Sequence, residues 1–290
     1  MKPDTDKDSI INAALWMTGT LVSFIGMAVG GRELSSELHT FQILFFRSLI
    51  GLFILCLILL NKGWYRIKTR HLSLHVLRNL SHFGGQFGWF YGIAYIPLAE
   101  VFAIEFTLPV WTAVLAVLIL KEQMTAPRFF AVVFGIAGML IILRPGMGVL
   151  NPISLIVLSS AFCYGLSHTL TRRMTLFDHP ITILFYMTLL QLPLGFLLSL
   201  NDWHPVSFAM WPFLIIVGIT ALTGHYCMAR ALAIADATVV VPLDFLRLPL
   251  IALIGYLFYN ETLDLFVLIG AFVMLFGNLI NIKAEHKKSV

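Results

Sequence analysis

Four ionisable residues stand inside long apolar runs of this sequence: Arg47, Glu105, Asp244 and Arg247. A charge at bilayer depth costs at least about 2.5–3.5 kcal/mol on insertion scales, so each needs a partner or water. The two arginines are suited to a carboxylate or phosphate, and the two acids to an amine or an exchangeable proton. Arg47 and Glu105 each lie about two helical turns into runs that enter from the same side, so an ion pair between them is expected. Arg247 follows Asp244 by three residues and shares its helix face. Two readings of these four charges stand side by side. One is a binding site carrying both signs of charge; the other is a set of ion pairs that locks helices together.

Softer candidates surround them. Trp16, Gln86, Trp89, Tyr91, Trp111 and Tyr164 are placed to stack on or hydrogen-bond a ligand, with core or lipid packing as the alternative for each. Arg230 and Asp236 read as a gate or structural pair near one end of their runs. His82, His168 and His225 read as polar contacts between helices. Cys56, Cys163 and Cys227 lie in apolar runs without metal spacing and read as small core residues. No metal or cofactor is expected.

The elements that hold these residues follow from composition. The chain has 290 residues, 59% apolar and 12% charged, with mean hydropathy +0.90. A soluble domain carries about 25% charged residues. Half that fraction cannot cover a water-facing surface, whereas a lipid-facing surface needs none. A spanning helix takes about 20 apolar residues, so the chain accommodates about ten. Helix is the secondary structure that suits such spans, because lipid offers backbone groups no partners. Breaks at Arg32-Glu33, Asn61-Lys62-Gly63, Pro97, Lys121-Glu122, Arg144-Pro145-Gly146, Arg172-Arg173, Asn201-Asp202, Asp236 and Asn260-Glu261 predict spans at 10–30, 40–61, 75–95, 98–120, 127–144, 152–171, 181–200, 209–232, 237–259 and 265–282. The mixed-charge start is not that of a cleavable signal peptide, so the first run is expected to stay as a helix. Basic residues crowd the loops that share a side with both termini, while Arg32 and Arg144 fall on the other side, which puts both termini in the cytoplasm. Trp64, Tyr65, Trp203 and Trp211 sit at span ends as interface anchors.

The chain also carries an internal repeat. A shift of 139 residues, the distance from Glu122 to Glu261, lays Asn260-Glu261 on Lys121-Glu122, Gly277 on Gly138, Ala233 on Ala94 and Asp244 on Glu105. The halves, residues 1–146 and 147–290, then hold five spans each. Five is odd, so the second half enters the membrane from the opposite side. Such inverted repeats are typical of secondary transporters.

The run from Phe90-Tyr91-Gly92 through Pro97-Leu98-Ala99-Glu100, Phe106-Thr107-Leu108-Pro109 and Lys121-Glu122 to Gly135-Ile136-Ala137-Gly138 and Arg144-Pro145-Gly146 resembles EamA-type members of the drug/metabolite transporter superfamily. The second half repeats the pattern more loosely. The resemblance covers nearly the whole chain. It implies ten helices around a central cavity lined mainly by the first four spans of each half, in a carrier of the bacterial inner membrane. Members handle amino acids, nucleotide-like metabolites, vitamins and metal-binding metabolites, in either direction.

The expected function is therefore secondary transport of a small polar, amphoteric metabolite by alternating access, with proton coupling through Glu105 or Asp244 as an added expectation. Expected partners are that metabolite and the lipid bilayer, without nucleic acid, and a second copy of the chain as a candidate homodimer. An enzyme would need a reactive constellation that the sequence lacks, and no Gly-rich phosphate loop supports ATP-driven transport. A non-transporting assembly or lipid-handling module is the alternative; charges of both signs at midmembrane speak against it.

Overall fold

A computed structural model describes residues 7–145, 151–234, 243–262 and 264–289; the side chains of 7–10, 232, 233 and 285–289 lie outside the description. The described chain is helical: α1 (Lys7–Leu34), α2 (Thr40–Lys62), α3 (Leu72–Tyr95), α4 (Leu98–Glu105), α5 (Leu108–Leu120), α6 (Ala126–Leu143), α7 (Pro152–Met174), α8 (Pro180–Ser199), α9 (Trp211–Ile234), α10 (Arg247–Tyr259) and α11 (Leu265–Ser289). The described residues make up ten passes. Passes four and nine are broken: α4 and α5 form one, and residues 243–246 lead into α10 in the other. The expected start of the ninth span, 237–242, lies outside the described residues.

Eight passes are long and apolar enough to cross a membrane by length and composition. The other two depart for identifiable reasons. α3 carries His75, Arg78, Asn79, His82 and Gln86, all turned inward and buried, which lowers its hydropathy without exposing polar groups. α10 is the second piece of a broken pass and holds only 13 residues. Large apolar side chains such as Phe53, Leu118, Phe258 and Phe272 point outward, where lipid receives them.

The repeat is legible in backbone detail. Lys121 and Asn260, 139 apart, both end their helices in the left-handed conformation, at φ 57° and 52°. The N–H groups that follow return to Ala116 and Gly255, again 139 apart. α2 and α8 begin on His39 and His179, whose Nδ1 atoms accept from the N–H of Phe41 and Ile181 and cap the helices. Helices pair across the halves in matching fashion: α1 on α9 and α7 on α3, α2 on α8, and α6 on α11. Phe106 and Phe245, which the shift superposes, stack on each other with ring centres 4.1 Å apart. α6 and α11 cross where a Cβ added to Gly270 would stand 2.6 Å from the Gly138 carbonyl, and one added to Gly138 would stand 2.5 Å from that of Gly270. Only glycine admits so close a backbone approach.

Candidate functional site

The breaks in passes four and nine place the site. Pro109 and Pro249 lack the N–H that would continue the helical ladder, so each pass bends just before its proline. Thr107 stabilises the first bend by donating its hydroxyl to the Ile104 carbonyl and accepting from Trp111 Nε1. Glu105 and Asp244 are among the last residues before the two bends, and there they enter a central cavity of about 130 Å³. Arg47, Arg247, Gln86, Trp89 and Tyr164 line the same cavity.

Its charges are organised around Arg247. The guanidinium donates to Asp244 Oδ2 at 2.7 Å and lies 3.6 Å from Glu105 Oε1. Glu105 Oε2 also accepts from Trp89 Nε1 at 2.8 Å. Rings of Phe24, Phe102 and Phe106 surround the Arg247 guanidinium at 4.9–5.6 Å from their centres, an arrangement that favours the cation. The expected Arg47–Glu105 pair is thereby corrected: Glu105 is taken by Arg247. Arg47 is 5% exposed and makes no hydrogen bond or ion pair with any described residue. The cavity thus has a negative end, with two acids on one base, and a positive end at Arg47.

Other candidates fall elsewhere. Trp16 packs edge-on against Tyr226, outside the cavity, with Arg230 over its ring at 5.4 Å. Tyr91 stacks between Phe87 and Tyr95. Trp111 packs on Phe162 and against Gly165. None of the three lines the central cavity, which corrects them from ligand contacts to packing residues: Trp16 meets α9, Trp111 meets α7, and Tyr91 stacks along its own helix α3. The Arg230–Asp236 pair lies partly outside the described residues, since Asp236 does. Residues read only as helix contacts join the lining instead: His82, His168 and His225, along with Phe24, Met27 and Met228. Helical spacing carries a signal for them. His82, Gln86 and Trp89 share one face of α3, and Tyr164 and His168 one face of α7. Among the described residues no three His, Cys, Asp or Glu side chains converge as metal ligands.

The two ends of the molecule differ. On the face away from the termini, Arg32 at the end of α1 bonds Glu261 at 2.9 Å and the Ile96 carbonyl at 2.7 Å. Glu261 also accepts from the Leu98 N–H at 2.9 Å, tying α1, α4 and the end of α10 together. Arg144 bonds Asp264 beside them. Burial pushes the Glu261 carboxyl above the usual carboxylate range, against the pull of Arg32 and the Leu98 N–H. On the opposite face, Arg172 bonds Glu122 at 3.0 Å, and there the arginine side chain is 65% exposed. Arg172 and Glu122 are the repeat counterparts of Arg32 and Glu261, to within one residue of the shift. A second cavity of about 300 Å³ runs from Leu108 and His168, which it shares with the central one, to Arg128, Arg172, Asn278 and Asn281. Among the described residues, the face away from the termini is tied by Arg32–Glu261 and Arg144–Asp264, while the larger cavity reaches Arg128 and Arg172 on the side of the termini.

Comparison with known proteins agrees with this architecture. The EamA-like transporter family matches residues 11–144 and again 151–282. An S-adenosylmethionine uptake transporter of Rickettsia bellii is 27% identical over 94% of this chain and 94% of that protein. A riboflavin transporter of Vibrio cholerae is 29% identical over 77% of this chain and 76% of its own length. The pseudopaline exporter CntI of Pseudomonas aeruginosa is 25% identical over 82% and 84%. One solved crystal structure superposes with a TM-score of 0.65 over 96% of this chain and 99% of its own, at 15% identity, which is a likeness of fold alone. With two copies of the family's repeat spanning almost all of its length, this chain, a multi-pass membrane protein, belongs to the EamA-like transporter family.

Proposed function

We propose that the protein carries a small amphoteric organic metabolite across a bacterial inner membrane by alternating access, with both termini in the cytoplasm. The observation that carries this reading is the central cavity between the two repeats, which holds buried charge of both signs at the breaks of two passes. Broken passes at midmembrane are where secondary transporters bind substrate. The substrate's cationic group faces Glu105 and Asp244, and its anionic group faces Arg47. Among the relatives' named substrates, S-adenosylmethionine has this character, and riboflavin supplies an uncharged comparison.

Alternation follows from the repeat. Two halves of inverted topology can exchange conformations, closing one face as the other opens. In this reading Arg32–Glu261 and Arg172–Glu122 close the two faces in turn. Proton exchange at Glu105 or Asp244 would couple the cycle to a pH gradient.

The test is uptake by the purified protein in liposomes, with S-adenosylmethionine, riboflavin and a panel of amino acids, with and without a pH gradient. Uptake of an amphoteric compound is expected, and Glu105→Gln or Asp244→Asn should reduce it by at least about tenfold while the protein remains folded. Normal uptake in both variants would sink the site. Indifference to the gradient would remove proton coupling.

A further inference from the structure

Resting on that reading, we infer that Arg47 and Gln86 form a recognition subsite for a metabolite that joins an anionic group, carboxylate or phosphate, to a heterocycle or amide presenting a donor beside an acceptor. The inference starts from what these two side chains lack. Arg47, on α2, is 5% exposed, lines the central cavity and has no partner among the described residues. Gln86, on α3, is 2% exposed, lines the same cavity, and leaves both its amide oxygen and its amide nitrogen unbonded. An unpaired buried guanidinium and an unsatisfied buried carboxamide are both costly, and native proteins keep few of either.

No described residue meets the need. Glu105 and Asp244 are committed to Arg247 and Trp89 at the other end of the cavity. His82, beside Gln86, has its Nδ1 engaged by Gln191 at 3.1 Å. Arg78, two turns before Gln86 on α3, donates to the neutral groups of Asn79 and Thr171 and brings no acid. What completes Arg47 is therefore an anion that enters the cavity. What completes Gln86 is narrower, because one partner group must accept from its nitrogen while an adjacent one donates to its oxygen. Carboxamides read the adenine edge in this way. A carboxylate alone would leave the Gln86 oxygen without a donor. Trp89, Phe90 and Tyr164 also line the cavity and supply aromatic surface suited to a planar heterocycle.

Two measurements test this. The first needs no ligand. Arg47→Gln should leave the thermal midpoint of the purified, ligand-free protein unchanged or raised, because it removes an unpaired buried charge. A clear drop would mean that Arg47 has a structural partner and would overturn the inference. The second uses matched probes: S-adenosylmethionine with its carboxyl methyl ester, and flavin mononucleotide with riboflavin, which separate a carboxylate from a phosphate. The wild-type protein should bind the anionic member of one pair about 10–100-fold more tightly, the range of a charge-assisted contact. Arg47→Gln should abolish that preference and Arg47→Lys should keep part of it. Gln86→Met should weaken both members of the pair alike, by about tenfold. A preference that survives Arg47→Gln, or wild-type binding that ignores the anion, would refute the subsite. Binding of no probe by folded wild-type protein would instead count against the proposed substrate class.

Discussion

Arg247 serves two carboxylates at once, and this makes it the structural centre of the cavity. Removing one member of a buried ion pair costs about 3–5 kcal/mol, because the charge left behind stays buried. Arg247→Gln strands both Glu105 and Asp244, and should lower the thermal midpoint in detergent markedly. Adding Glu105→Gln and Asp244→Asn to that variant should recover most of the loss, since the stranded charges are then gone. A triple variant no more stable than Arg247→Gln would show that Arg247 acts through its aromatic contacts with Phe24, Phe102 and Phe106 instead. At this scale the sequence told depth but not direction. Arg47 and Glu105 are recognisable as charges at similar height, yet height along a helix says nothing of which neighbour a side chain faces. Arg247 reaches Glu105 because the bend before Pro249 brings α10 against α4, a tertiary fact. The same blindness put Trp16, Tyr91 and Trp111 in the cavity and left His168 out of it.

Elements were easier to read than contacts, because long apolar runs bounded by charges and glycines fix where helices begin and end. The limits of α2, α7 and α8 fall within a few residues of those expected from composition. The breaks inside passes four and nine were missed for a physical reason: their apolar character is continuous through Leu108-Pro109 and Leu248-Pro249, and the prolines alone mark the bend. The turn that ends each broken pass holds an asymmetry the repeat does not predict. Glu261 folds back so closely on Gly255 that an added Cβ would stand 2.2 Å from its carboxylate oxygen. The repeat counterpart of Gly255 is Ala116, which has that Cβ, and Glu122 is correspondingly more exposed than Glu261, at 23% against 11%. Gly255→Ala should therefore displace Glu261 and loosen its bonds to Arg32 and the Leu98 N–H. The expected result is a loss of about 1–3 kcal/mol of stability, the usual effect of overpacking, read as a lower thermal midpoint. The effect should vanish when Glu261→Ala is already present, and additive losses in the double variant would mean the alanine clashes elsewhere.

On the scale of the whole molecule, the two latches make the conformational state measurable. Arg32–Glu261 is partly buried and bonded to backbone of the α3–α4 turn at Ile96 and Leu98, whereas Arg172 of the Arg172–Glu122 pair is largely exposed and lines the second cavity. In the proposed cycle this asymmetry favours closure on the Glu261 face, and weakening that latch should shift the balance. Met27 lines the central cavity and reports on its access. With Met27→Cys placed in a Cys56→Ser, Cys163→Ser, Cys227→Ser background, a membrane-impermeant thiol reagent applied from the Glu261 face should react slowly. Glu261→Gln should speed that reaction by about tenfold, the worth of a charge-assisted contact of about 1.4 kcal/mol. Glu122→Gln, which weakens the opposite latch, should slow it or leave it unchanged. Because burial raises the Glu261 carboxyl, that group takes up its proton at milder acidity than an exposed glutamate. Lowering the pH should then mimic Glu261→Gln, and should do nothing further in that variant. If Glu261→Gln and acid both leave the labelling rate where it was, Arg32–Glu261 is a static tie between helices and the closure of that face is set by packing alone.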